Sequence, residues 1–212
     1  FLEDYSYFTR ALLDLYTSTL STKWYHLAKS FCDETIENFW DGKEKVFFDT
    51  TEISDLFLRP RSFFDPMIPN AAAIAASNCY KLYRMNNEQK YFSIVNKSLE
   101  KVSPILTNSP LDTPNWFLLY SELHEDNIDI VFTGDRESNY FLEAKKLILA
   151  TYIPNSIIVA NDLDDNSFDS PVFKGRTNNI NTTVYLCKNN VCNLPADDIE
   201  SLEKQINNEM NK

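Results

Sequence analysis

"LEDYSYFTRALLDLYTSTLSTKWYHLAKSFCDETIENF", residues 2–39, decides the fold. In its first half Leu2, Tyr5, Phe8, Leu12, Leu15 and Tyr16 recur at three- and four-residue spacing, the period of an amphipathic helix over 2–20. The period resumes almost at once, with Trp24, Leu27, Ala28, Phe31, Ile36 and Phe39 as its stripe and Ser21 or Thr22 as its cap. Two helices on so short a link predict an antiparallel αα-hairpin.

The motif repeats downstream. A third helix starts at Pro69 or Asn70 with "NAAAIAASNCYKLYRM", whose Ala-rich face admits a close neighbour. A fourth, "EQKYFSIVNKSLEKVSPIL", completes a second hairpin, and "TPNWFLLYSEL" adds a shorter helix. Between the hairpins, 46–48 and 56–58 are short apolar, strand-like runs, punctuated by Pro60, Pro66 and Pro69. After about residue 126 the pattern changes. "IDIVFTG" (128–134) is a strand, 136–152 a helix and "SIIVAN" (156–161) a strand, which predicts a right-handed parallel βαβ unit. A polar loop, a strand turning through 188–190 and a helix over 197–208 follow. The reading is therefore a mainly α chain, with helical hairpins over 1–126 and a small α/β domain over 127–212.

The composition is that of a globular chain with a core: 43% hydrophobic and 14% aromatic over 212 residues. With only 3 glycines, neither a dinucleotide fingerprint nor a P-loop can be written. A formal net charge of −11 and no basic run argue against nucleic acid and anionic membranes as partners. No apolar stretch approaches the ~20 residues of a membrane span. The opening "FLEDYSYF" has no basic n-region, so a cytoplasmic location is expected. The absence of an initiator Met predicts a piece of something longer.

Four ordered stretches carry a resemblance: "FLEDYSYFTRALLDLY", "FWDGKEKVFFDT", "LFLRPRSFFDPMIPNAAAIAA" and "VYLCKNNVCNLP". Together they resemble the C-terminal portion of the YyaL-like family, which includes the spermatogenesis-associated thioredoxin-domain proteins. The resemblance implies part of an (α/α) toroid of the six-hairpin glycosidase and N-acylglucosamine epimerase kind. It also implies a thioredoxin-like domain and further toroid helices outside this chain, as partners it would need or replace by self-association. The sequence departs from the family where a polar Ser-x-Asn-Ser is expected after Pro69. Here Asn70 is followed by Ala71, Ala72 and Ala73. The family's "GGFFDT" glycines are replaced by Lys45 and Val46.

The resemblance turns Glu3, Asp4 and Tyr5 into a candidate site, with Asp4 pointing into a cavity as a catalytic acid. Protonating a leaving oxygen or activating water requires a carboxyl group held over a sugar. The alternative is a solvated helix start that suits the macrodipole. The partner acid would come from Asp49, Asp65 or helices outside this chain. Arg59 and Arg61 offer forks for carboxylates or sugar hydroxyls, or else Arg59 pairs with an acid such as Asp49. Asn70 and Trp40 complete the ligand-binding set, with Trp40 as a stacking wall or as core. No cofactor is expected, and the lone His26 and His124 give no metal spacing.

Cys187 and Cys192 form C-x4-C rather than the C-x-x-C of a redox active site. In a hairpin they can face each other, as small structural thiols or as a redox-responsive pair. Cys32 and Cys79 lie singly in helices. Three functions stay open: a sugar-binding or carbohydrate-active module, a client-binding scaffold for the thioredoxin-like domain, and a thiol-responsive module.

Overall fold

The computed structural model describes residues 1–52, 57–65, 67–160, 168, 170–176, 181–189 and 191–210. Mainly helical, it divides into two compact units, 1–16 with 23–124, and 17–22 with 125–212.

In the first unit α1 (Leu2–Thr19) and α2 (Thr22–Phe39) form the expected antiparallel hairpin. Tyr5 near the start of α1 meets Phe39 at the end of α2, with ring centroids 5.3 Å apart, and Tyr16 meets Tyr25 at 5.9 Å. The chain then makes a two-stranded antiparallel ribbon, β1 (Trp40–Asp41) with β2 (Val46–Phe47). The second hairpin joins α3 (Ala71–Asn86) to α4 (Gln89–Asn108), turning at the left-handed Asn87, whose N–H donates to the Tyr83 carbonyl. α5 (Pro114–His124) follows a short 3₁₀ turn.

Cross-helix contacts sort these helices into two layers. Arg10 and Ser6 on α1 bond to Asn78 on α3, and Tyr80 on α3 bonds to the Glu122 carbonyl on α5. On the other side, Asp33 on α2 meets Lys90 and Tyr91 on α4. So α1, α3 and α5 form one layer, and α2 and α4 the other. Within the first layer 7 meets 69 and 10 meets 78, while Asp65 joins the chain at 70 to 115 and 80 meets 122, so the three helices run in the same sense.

The buried stripes differ from the expected ones. On α1 the buried residues are Leu2, Ser6, Thr9, Leu12, Leu13 and Tyr16, while Phe8 and Leu15 are exposed. On α2 they are Thr22, Tyr25, Ala28, Cys32, Thr35 and Phe39, while Leu27 is exposed. Small residues let helix backbones approach, so they occupy the seams, and Phe8 and Phe31 pair edge to face beside them. Of the strand-like run 56–58, Leu56 lies outside the described residues, and Phe57 and Leu58 are exposed bends. The partner of Val46–Phe47 is instead Trp40–Asp41.

The second unit has a four-stranded sheet, β3 (Ile128–Thr133), β4 (Ser156–Ala160), β5 (Thr183–Lys188) and β6 (Val191–Cys192), in the order β4-β3-β5-β6. The β3–β4 pair is parallel, with α6 (Asn139–Ala150) between them in sequence, and β5 and β6 are antiparallel additions. α7 (Ile199–Met210) ends the described chain. Alternate residues of the strands, Ile130, Phe132, Ile158 and Leu186, share one core with Phe141, Ile148, Leu202 and Ile206 of the helices. A split at 126/127 puts all of 1–126 with the helical part. In the structure 17–22 groups with 125–212, because Leu20, in the left-handed region at φ 59°, is wholly buried in this second core.

Candidate functional site

The three parallel helices α1, α3 and α5 start at a common end, and Asp65 ties two of those starts together. Its carboxylate accepts the backbone N–H of Asn70, the backbone N–H of Asn115 at 3.1 Å and the Asn115 amide at 3.0 Å. A negative charge at a helix N-terminus complements the free N–H groups there. Asn70 caps α3 by accepting from the Ala73 N–H at 3.0 Å, and its amide donates to the Ser62 and Phe64 carbonyls. The Tyr7 hydroxyl donates to the Pro69 carbonyl.

Of the Glu3-Asp4-Tyr5 triplet, each member has a different environment. Tyr5 packs on Phe31 and Phe39. Asp4 is exposed. Glu3 is the acid on the Tyr7 side, because 3, 7, 10 and 14 lie on one face of α1. Burial, then the charges of Glu3 and Asp65, push the Tyr7 hydroxyl above its ordinary range. Burial, then Glu3, push the half-buried Asp49 carboxyl up as well.

Further along the same face, Arg10 donates from Nε to Asn78 Oδ1 at 2.9 Å and from Nη2 to Ser77 Oγ at 2.7 Å. Asn78, almost fully buried, passes the connection on to the Ser6 carbonyl at 2.8 Å. Lys81 stands one helical turn beyond. Burial holds both the Arg10 guanidinium and the Lys81 ammonium below their ordinary ranges, and for Lys81 the Arg10 charge adds to the effect. This polar face was not read from the sequence. Its signal is the Glu3, Tyr7, Arg10, Asp14 spacing on the side of α1 away from its apolar stripe.

Arg59 and Arg61 diverge. Arg59 donates to the Thr50 carbonyl at 2.7 Å and the Asn38 carbonyl at 2.9 Å while lying over Phe48, so it clamps backbone. Its acid neighbour is Glu52 at 3.8 Å, not Asp49. Arg61 reaches Glu44 at 3.4 Å. Trp40, half-buried, packs against Phe47 at 4.9 Å.

Cys187 and Cys192 are cross-strand neighbours in β5 and β6, joined as a disulfide. The thiols expected to lie singly are also brought together: Cys32 on α2 and Cys79 on α3 are buried with their sulfurs 3.6 Å apart. That hydrogen bond and burial push the Cys32 thiol well up. A separate groove of about 450 Å³ between α4 and α5 is lined by Leu99, Leu106, Phe117, Tyr120 and His124. Among the described residues no group of His, Cys, Asp and Glu is arranged to hold a metal ion.

The fold and this face define the chain as a two-layer array of αα-hairpins with an α/β unit, its polar face built on the parallel helices. No family model matches the chain. It is similar to spermatogenesis-associated protein 20 of Homo sapiens, at 28% identity over 210 residues, 96% of this chain and 27% of the relative. The rat protein of the same name is 27% identical over the same share. An uncharacterized protein of Caenorhabditis elegans is 26% identical over 98% of this chain and 28% of its own length. The chain thus spans about a quarter of the length of the curated relatives it matches and is similar to the spermatogenesis-associated protein 20 group.

Proposed function

We propose that this chain is part of an (α/α)-toroid protein with an associated thioredoxin-like domain, and that its α1/α3/α5 face binds a polar, sugar-like molecule. The observation that carries the reading is the polar face itself. Tyr7, Arg10, Ser77, Asn78 and Lys81 lie together on helices that run in the same sense. Hydroxyl-rich ligands need such a mixture of donors and acceptors on rigid elements. Asp4 and Asp65 remain the acids proposed for catalysis, and Glu3 joins them because it shares Asp49's surroundings. The test is the melting temperature of the chain with neutral and acidic mono- and disaccharides, repeated on Asp4→Asn and Glu3→Gln. A ligand at a hundred times its Kd adds ~2.7 kcal/mol, a rise of a few degrees. A rise lost in either variant supports a sugar site at the α1 start. No rise with any sugar overturns the reading.

One observation favours a second reading. Joined sulfurs in the β5–β6 pair are what a thiol-responsive module would contain. Thiol labelling across a series of dithiothreitol/disulfide buffers, on the parent and Cys192→Ser, tests whether the pair opens and closes. Uniform labelling across the series counts against that role. The Ala72 and Ala73 methyls at the start of α3 are buried and packed, as the scaffold reading would require.

A further inference from the structure

Among the described lysines that are half-buried, Lys81 alone has no polar partner, for Lys145 bonds the Thr19 carbonyl and Lys29, Lys45 and Lys188 each reach a carboxylate. Lys81 has no hydrogen bond or ion pair among the described residues, and Asp14 and Glu122 act on it only through their charge. It is half-buried, so water satisfies it poorly. Its nearest cationic neighbour across the α1–α3 seam, Arg10, is held rigidly by Ser77 and Asn78 one turn earlier on the same helix face. Arg84 lies one turn further along. Three cations, Arg10, Lys81 and Arg84, thus meet two carboxylates, Asp14 and Glu122, in a chain whose formal net charge is −11. A half-buried, unpaired ammonium beside a fixed guanidinium is the arrangement that recognises an oxyanion, through charge-assisted hydrogen bonds.

We propose that Lys81 and Arg10 form an anion-binding subsite on the α1/α3 face, so that the ligand proposed above carries a carboxylate or a phosphate. This rests on the sugar reading for the rest of the ligand but not for the anion. Burial and the neighbouring guanidinium both disfavour the charged ammonium, and an arriving oxyanion reverses that.

The experiment is calorimetric titration of the chain with glucose, glucuronate, glucose 6-phosphate and inorganic phosphate. It is repeated on Lys81→Met and Lys81→Arg, each first shown to melt cooperatively. The expected result is that at least one anionic probe binds the parent. Lys81→Met weakens it about tenfold or more, and Lys81→Arg keeps most of the affinity. Preference between glucuronate and glucose 6-phosphate distinguishes carboxylate from phosphate. Inorganic phosphate binding through Lys81 with no sugar bound upholds the anion subsite and removes the sugar reading. Glucose bound as tightly as the acidic sugars, unaffected by Lys81→Met, overturns the subsite and leaves the sugar reading standing. If no anionic probe binds the parent, or all bind Lys81→Met equally, the proposal is wrong.

Discussion

Asp49 shows how a single side chain reports its surroundings. Burial first, and the Glu3 charge second, raise its carboxyl above the usual range. A group whose folded value exceeds its unfolded value, ~3.9 for Asp, stabilises the fold fully below that unfolded value. The contribution is lost as pH rises through the raised folded value, so ionised Asp49 opposes folding at neutrality. Asp49→Asn is therefore expected to melt higher than the parent at pH 7, with the gap closing below about pH 4. Equal melting curves at both pH values would remove the strain assigned to this acid. Arg59 illustrates the opposite case, in which a residue that reads as a ligand fork is consumed by structure. Its guanidinium bonds the Thr50 and Asn38 carbonyls, and a charged hydrogen bond of this kind contributes roughly 1.5–3 kcal/mol.

At the scale of elements, the turn that ends β3 depends on glycine. Gly134 has φ +94°, and a Cβ there would stand 2.3 Å from the Asn181 carbonyl oxygen. Backbone lies on that side, so no side-chain rotation relieves the clash. Gly134→Ala is expected to destabilise the second unit by at least ~1–3 kcal/mol, read as a lower urea midpoint at unchanged slope. A midpoint within error of the parent would mean that the strand end moves freely. The hairpins themselves were legible from periodicity, and the third helix starts where Asn70 can cap it. The stripe phase was not legible. Hydrophobic periodicity finds an apolar face, but the seams here are filled by Ser6, Thr9, Ala28 and Cys32, whose advantage is small size rather than hydrophobicity.

At the scale of the whole molecule, Phe57, Met67 and Leu111 stand almost fully exposed. Apolar surface of this kind seeks a cover, and light scattering is expected to show a mass above the monomer that grows with concentration. The double variant Met67→Ser, Leu111→Ser should restore the monomer. A parent that is monomeric at every concentration would sink the self-association reading. The sequence alone determined the local elements: helix periods, the β3-α6-β4 alternation and the Asn70 cap. Each depends on residues a few positions apart. Only the tertiary structure decided the rest. It joined Arg10 to Asn78, Cys32 to Cys79 and Asp65 to Asn115, and placed Leu20 in the second core. Such contacts bring together groups tens of residues apart, and their partners are chosen by packing geometry, which no local pattern of side chains encodes.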